Sequence, residues 1–158
     1  MSAWTTRRAT AADAAAVVEL RALMFSAMGV RGVDDPGWRE AATAWFEREL
    51  DGGRACVVVA VDADGQVVAG AMGGLRFETP SPVNPNGVWG LVNNVATQPR
   101  ARRRGLARAC VVGVLDWLRD ETAATVVELF ATGEGAGLYE ELGFAPTAWS
   151  AMRLRLDR

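Results

Sequence analysis

The stretch from Asn93 to Leu118 limits the possible fold more than any other segment, because a predicted strand, a basic turn and a predicted helix follow one another directly. Val92, Val95 and Thr97 suit a strand, which Pro99 ends because proline cannot donate to a strand ladder. After the turn, apolar residues recur at three- and four-residue steps and therefore share one helical face. They are Ala107, Cys110, Val111, Val114, Leu115 and Leu118. This order predicts a helix that packs on a sheet.

The turn between strand and helix, RRRGLA, is suited to bind an anion. Gly105 and Ala107 let a ligand approach the backbone, and the free amides of a first helical turn point outward at the positive end of the helix dipole. Arginines surround the same point, at Arg100, Arg102, Arg103, Arg104 and Arg108. Together these features predict a site for a ligand with several phosphates. A solvated helix start in a chain without lysine would explain the arginines but not the spacing of the two small residues.

The remaining elements alternate between strands and helices. Predicted strands are Trp4–Arg8, Ala55–Val61, Gln66–Phe77, Thr125–Ala131 and a last alternating segment with Met152, Leu154 and Leu156 on one side and Arg153, Arg155 and Asp157 on the other. Thr10 and Asp13 form a predicted capping box before a first helix, and Asp35 caps a second. Gly143 ends a short helix that carries Tyr139. The order predicts one domain, 1–158, around one mixed sheet.

The apolar faces of the first two helices are read from the same spacing. In the first helix the face comprises Val17, Leu20, Met24, Ala27 and Met28, and in the second Trp38, Ala41, Ala42, Trp45 and Leu50. Gly70, Gly73 and Gly74 interrupt the strand Gln66–Phe77, which predicts either a bulge or a place where another element packs close to the backbone.

Composition excludes several classes of site. The chain has no histidine, which rules out Ser-His and Cys-His nucleophiles and makes a metal site improbable. A net charge of −2 argues against a general nucleic-acid binder. Neither a membrane span nor a signal peptide is recognisable, which predicts a cytoplasmic protein without a membrane partner. Cys56 and Cys110 both lie in apolar surroundings and are expected to be core thiols.

Three motifs, in matching order and separation, resemble those of the GNAT superfamily of acyl-CoA-dependent N-acetyltransferases. The turn 102–107 is similar to the signature Q/R-x-x-G-x-G/A, residues 95–99 to the strand end before it, and residues 138–144 to a later L-Y-x-x-x-G-F element. The resemblance covers roughly residues 88–157. It implies an α/β, single-domain fold with a mixed, mostly antiparallel sheet, splayed parallel middle strands and about four flanking helices.

The resemblance also implies acetyl-CoA as co-substrate and assigns residues to it. The amides of Arg103, Arg104, Gly105, Ala107 and Arg108, with Arg102 beside them, would hold the pyrophosphate, and the backbone of Val95 and Thr97 would pair with the pantetheine arm. Tyr139 occupies the position of a general acid for the departing thiolate, a task that suits a phenol protonated at neutral pH. The alternative is an aromatic core residue on a short helix.

The general base and the acceptor pocket are less defined by the sequence. Where family members often have a glutamate, residues 88–94 contain no carboxylate. Asn93 or Asn94 could hold a relay water or simply bind backbone, and Glu40 or Glu78 could serve as the base instead. Met24, Phe25, Met28 and Trp38 are candidates to line the acceptor pocket, with Trp45 beside them, although such residues also suit a core. Asp34 and Asp35 could attract an ammonium group.

These observations predict an N-acetyltransferase that moves an acetyl group from acetyl-CoA to an amine, of a small molecule rather than a protein, by direct transfer through a tetrahedral intermediate. A non-catalytic acyl-CoA-binding or sensory module is the alternative, favoured by the missing strand carboxylate. A nucleic-acid-binding module using the arginine turn comes third, and a dinucleotide-binding domain is disfavoured because no G-x-G-x-x-G follows a strand. The exposed strand edges of the family allow a homodimer.

Overall fold

The structure, a computed structural model, describes residues 4–156 and contains one five-stranded sheet. Its strands are β1 (Thr5–Arg8), β2 (Ala55–Val61), β3 (Val67–Phe77), β4 (Val88–Thr97) and β5 (Val126–Leu129). They lie side by side in chain order, all antiparallel except the parallel pair β4–β5. The helices are α1 (Ala14–Ala27), α2 (Pro36–Glu49), α3 (Leu106–Glu121) and α4 (Ala136–Glu141), with 3₁₀ turns at Ala11–Asp13 and Pro99–Ala101. The predicted α/β fold is confirmed.

Both faces of β2 are covered, which explains its unbroken apolar sequence. Cys56, Val58 and Ala60 join the core beneath α3, whereas Val57 and Val59 join the core beneath α1 and α2. All seven residues of β2 are buried. The sheet is therefore the middle of three layers, with α1 and α2 on one side and α3 on the other.

Helix α3 packs directly on the backbone of β3 at Gly73. A Cβ atom there would lie 2.6 Å from Val114 Cγ1 and 3.2 Å from the ring of Trp117. Only glycine leaves room for this contact, which confirms the prediction of close packing at the β3 glycines. Trp117 is buried with Val111 and Val114, although the spacing did not single it out.

Helices α1 and α2 begin as predicted but differ from the prediction along their length. Thr10 N donates to Asp13 Oδ2 at 2.8 Å in the predicted capping box, and Gly37 N donates to Asp35 Oδ1 at 2.8 Å. In α2 the fully packed residue is Phe46, at 2% exposure, whereas Ala41 is exposed.

Within residues 4–156 no helix has the length and apolarity needed to cross a membrane.

The predicted last strand does not form. Residues 146–156 pair with no strand, and Met152 and Leu154 are 97% and 82% exposed. Alternation describes how a segment would divide its side chains between two faces, but a strand also needs a neighbouring backbone to accept and donate its hydrogen bonds. As a result β5 is the edge of the described sheet. Asp157, included in that prediction, lies outside the described residues.

The two cysteines are core thiols, as predicted. Cys56 is 6% exposed and Cys110 is fully buried, and burial raises the pKa of the Cys110 thiol to about 12 and that of Cys56 above its ordinary value. Because the thiolate is the reactive form, we expect a thiol reagent such as dithiobisnitrobenzoate to label neither cysteine in the folded protein and both after denaturation. Labelling of the native protein within minutes would contradict this burial.

Candidate functional site

A large cavity opens where the two parallel strands separate. β4 pairs with β5 only through Trp89–Val92 and Val126–Leu129, and β4 then continues to Thr97. Val92–Thr97 lie on one side of the cavity and Leu129 and Phe130 on the other, and its volume is about 1010 Å³. The parting of the parallel pair agrees with the predicted fold, and it leaves the backbone of β4 beyond Val92 without a parallel partner.

A bulge in β4 turns two neighbouring asparagines toward the same space. Between the pairs Gly70–Ala96 and Met72–Asn93, one residue of β3 faces two of β4, and Asn94 has a φ of +51°. Successive side chains of a regular strand point to opposite faces, but the extra residue of a bulge interrupts this alternation. Asn93 and Asn94 both line the large cavity as a result.

The side chains of the two asparagines differ in their hydrogen bonding. Asn94 Oδ1 accepts a hydrogen bond from Arg21 Nη1, and Asn94 Nδ2 lies 3.4 Å from Met72 Sδ. Asn93 Oδ1 is buried and has no hydrogen-bond partner in the described part of the chain. A buried acceptor without a partner is costly, and the residue that carries it also lines the large cavity.

The N-terminus of α3 is open to an anion. Gly105 is its N-cap residue with a φ of +73°, and a Cβ atom added there would meet nothing within 4 Å. The first amides of a helix have no partner within the helix and carry the positive end of its dipole. The predicted Arg103, Ala107 and Arg108 lie in or next to this first turn, and Arg103 also has a positive φ, of +60°.

Most of the surrounding arginines carry charge that no carboxylate in the described part of the chain neutralises. Arg100 forms an ion pair with Asp62 at 2.8 Å, but Arg102, Arg103, Arg104 and Arg108 have no ion-pair partner within residues 4–156. Arg102 lines the large cavity, and its Nε donates to the carbonyl of Thr97 at 3.3 Å. This end of the cavity can therefore hold a polyanion.

Tyr139 reaches the large cavity from α4. Its ring packs edge-on against Phe144 with centroids 6.0 Å apart and contacts the core beneath α3. Burial raises the pKa of its phenol above the ordinary value, so the hydroxyl stays protonated at neutral pH. No hydrogen bond to another residue holds this hydroxyl in the described structure. The group can donate a proton to a ligand in the cavity.

A second, smaller cavity of about 380 Å³ adjoins the large one on the side of α2. Arg21, Asn93 and Asn94 line both cavities and form the junction between them. The rest of the small cavity is apolar and consists of Ala41, Ala42, Trp45, Phe46 and Met72. This arrangement offers two adjoining cavities, a large one with Arg102 in its lining and a smaller one that is mainly apolar.

The structure separates the predicted acceptor-pocket residues. Met24, Phe25 and Met28 line the large cavity, not the small one. Trp38 lines neither cavity, because its indole Nε1 donates to the carbonyls of Gly32 and Val33 at 3.1 Å and its ring packs on Phe25. Trp45, which the sequence predicts beside these residues, lies in the small cavity.

The carboxylates considered for catalysis or amine attraction lie elsewhere. Glu40 and Glu78 line neither cavity, and Glu78 forms an ion pair with Arg76 at 2.8 Å. Asp35 caps α2, and Asp34 borders a separate groove. Glu134, on the loop before α4, is the carboxylate that lines the large cavity within the described part of the chain.

Sequence reasoning missed Arg21, Glu134 and Arg153, which also line the large cavity. The sequence position of Arg21 was a recognisable signal. Arg21 comes directly after Leu20 and three residues before Met24, so it lies on the apolar face of α1. A charged residue at such a position must find a partner or line a cavity. The loop residue Glu134 carries no comparable periodic signal.

Comparison with known proteins points to one family. Residues 17–144 match the model described as the acetyltransferase (GNAT) family. A search of curated proteins found no match.

The fold is similar to crystal structures of acetyltransferases from three organisms. A predicted acetyltransferase with acetyl-CoA from Clostridium acetobutylicum has a TM-score of 0.83 at 21% identity, covering 95% of this chain and 96% of its own. Glucosamine-6-phosphate N-acetyltransferase from Arabidopsis thaliana has a TM-score of 0.72 at 18% identity, covering 96% and 97%. Ribosomal-protein-alanine N-acetyltransferase from Brucella melitensis biovar Abortus 2308 has a TM-score of 0.69 at 22% identity, covering 98% and 100%. At these identities the likeness concerns the fold alone.

Proposed function

Because this chain belongs to the GNAT family of acetyltransferases, whose co-substrate is acetyl-CoA, we propose that it moves the acetyl group of acetyl-CoA directly to the amine of a small molecule, through a tetrahedral intermediate. The observation that carries this proposal is the large cavity, which forms a groove along β4 with Arg102, just before the N-terminus of α3, as well as Asn93 and Tyr139 in its lining. A second cavity adjoins the groove at Asn93, and the acceptor would lie there, next to the donor.

The donor would lie along the groove. The open amides after Gly105 and the nearby arginines support binding of its phosphates, and within the described residues a Cβ atom added at Gly105 would meet nothing within 4 Å, so the residues present fit the group. The backbone of Val95 and Thr97 lies beyond the end of β5 and can hydrogen-bond the amide-containing pantetheine arm. These contacts would hold the thioester beside the junction of the cavities.

Tyr139 in the large cavity and Asn93 at the junction would supply the remaining chemistry. Tyr139 would protonate the departing thiolate, for which its raised pKa suits it. Asn93 Oδ1 would accept a hydrogen from the acceptor amine or hold a water that receives its proton. The small cavity, at about 380 Å³, lies within the ordinary range of small-ligand sites, which favours a small molecule over a protein surface.

The pH dependence of kcat/KM should be set by the pKa of the acceptor amine, because no carboxylate lines the small cavity in the described structure. We expect kcat/KM to rise about tenfold per pH unit until the pKa of the acceptor amine is reached. Burial raises the pKa of Tyr139. At any pH below the ordinary tyrosine pKa, Tyr139 should therefore keep its proton, and the rate should not fall for this reason. This prediction is tested by measuring pH profiles of kcat/KM for acceptor amines of different basicity. A rising limb shared by all of them would instead indicate an enzyme base, for which Glu134 is placed.

Two measurements test the proposed function itself. Isothermal titration with acetyl-CoA reports binding in the groove, and thiol release across a panel of amines, amino acids, polyamines and aminoglycosides reports transfer. Binding together with thiol release for one class of amine would support the enzyme. The absence of a carboxylate from β4 keeps a non-catalytic acyl-CoA-binding module as the alternative. Binding without release for any acceptor would favour that module.

A further inference from the structure

Arg21 is a positively charged side chain at the junction of the two cavities, and no role has yet been given to its charge. It lies on α1 within the apolar face, is partly buried, and lines both cavities. Burial lowers the pKa of its guanidinium, because desolvation disfavours the charged form.

The protein leaves this charge without a counterion. Arg21 belongs to no ion pair within residues 4–156. One N–H bonds to Asn94 Oδ1, and the guanidinium lies 4.7 Å from the centroid of the Phe25 ring. Both contacts restrict the orientation of the group, and its other N–H donors have no hydrogen-bond partner within residues 4–156. A partly buried cation that is held in place yet unpaired is costly to the fold unless a ligand uses it.

The surroundings of Arg21 restrict what that ligand can be. Asn93 lines the same two cavities, and its Oδ1 is a buried acceptor without a hydrogen-bond donor within residues 4–156. The rest of the small cavity is apolar and offers no second cation for a doubly charged group. A fitting ligand therefore combines one planar anion, one N–H donor and an apolar group.

We propose that the acceptor is an amine that carries its own carboxylate beside an apolar group, such as an apolar amino acid. Arg21 binds the carboxylate in a two-pronged contact, Asn93 Oδ1 accepts from the amine, and the apolar group fills the small cavity against Trp45 and Phe46. This inference rests on the proposed function and names the class of its acceptor. The Arg21 contact positions the substrate and takes no part in bond making.

Matched acceptors test the carboxylate without altering the protein. For leucine, methionine and phenylalanine, thiol release is measured with the free acid, with its amide, and with the amine that lacks the carboxyl group. We expect kcat/KM for the acid to exceed that for the amide and the plain amine by about 10- to 100-fold. The amide is the less basic amine and has more free base at neutral pH, so any bias of reactivity runs against this result. Equal use of acid and amide would overturn the proposal.

A pair of variants tests the residue. Arg21→Gln should lower kcat/KM for the acids about 10- to 100-fold and should lower kcat/KM for the plain amines much less. Arg39→Gln is the control, because Arg39 also stacks on an aromatic ring, 5.6 Å from that of Trp38, but lines neither cavity. It should leave the acid preference intact. An equal loss for all amines in Arg21→Gln would mean that Arg21 serves the donor or the reaction, and would contradict the proposal.

Binding separates this inference from the proposed function. Calorimetric titration of the CoA-saturated protein with leucine and with leucinamide reads the acid preference without turnover. Acid-selective binding that Arg21→Gln abolishes, in a protein that releases no thiol with any amine, would support the carboxylate site and refute the transferase. Thiol release with no preference for the acids would support the transferase and refute the carboxylate site.

Discussion

Replacing Tyr139 by phenylalanine is expected to lower kcat about 100-fold, equivalent to about 2.7 kcal/mol of transition-state stabilisation. The substitution removes only the hydroxyl, which is the protein group in the groove suited to protonate the thiolate. The affinity for acetyl-CoA should change less than twofold, because the aromatic ring and its contact with Phe144 remain. Steady-state kinetics and isothermal titration measure the two effects separately.

A packing role for Tyr139 would give a different pattern. Phe144→Leu removes the ring contact at 6.0 Å but keeps the Tyr139 hydroxyl, so it serves as the control. We expect this control to lower the melting temperature more than kcat. If Tyr139→Phe instead keeps the wild-type kcat, or if Phe144→Leu reproduces its loss, the hydroxyl is not the proton donor.

Replacing Gly105 by valine should raise the KM for acetyl-CoA about 10- to 100-fold, the range for losing a hydrogen bond to a charged group. Its Cβ would enter the open space at the N-terminus of α3, where phosphates are proposed to bind. A β-branched residue is also strained at a φ of +73°, which would distort the first helical turn and its amides. The titration with acetyl-CoA, together with KM, measures the effect.

Gly53→Val separates strain from the loss of the phosphate site. Gly53 also has a positive φ, of +74°, and a Cβ added there would likewise meet nothing within 4 Å. It lies between α2 and β2 and lines neither cavity. Both variants should lower the melting temperature similarly, and only Gly105→Val should weaken acetyl-CoA binding. A wild-type KM in Gly105→Val would remove the α3 terminus from the proposed donor site.

The fold was predictable from local patterns wherever one element's own sequence determines its conformation. The β2 bounds agree at both ends, Ala55–Val61, and the capping box at Thr10 forms as predicted. The last strand failed because pairing depends on a neighbouring backbone, which no local pattern specifies. The burial of Phe46 also could not be predicted from local spacing, since the packing of α2 turns Phe46, and not Ala41, toward the core.

The sequence alone determined the basic turn before α3 and the presence of Tyr139 on a short helix, because both depend on residues adjacent in the chain. Tertiary structure decided the acceptor side of the site. Arg21 and Asn94 meet across 73 residues, and they do so because the β4 bulge turns Asn94 toward α1. The same packing puts Trp45 in the small cavity and leaves Trp38 outside it. Periodicity tells which residues share a face, but sheet register and helix packing determine which faces enclose a cavity.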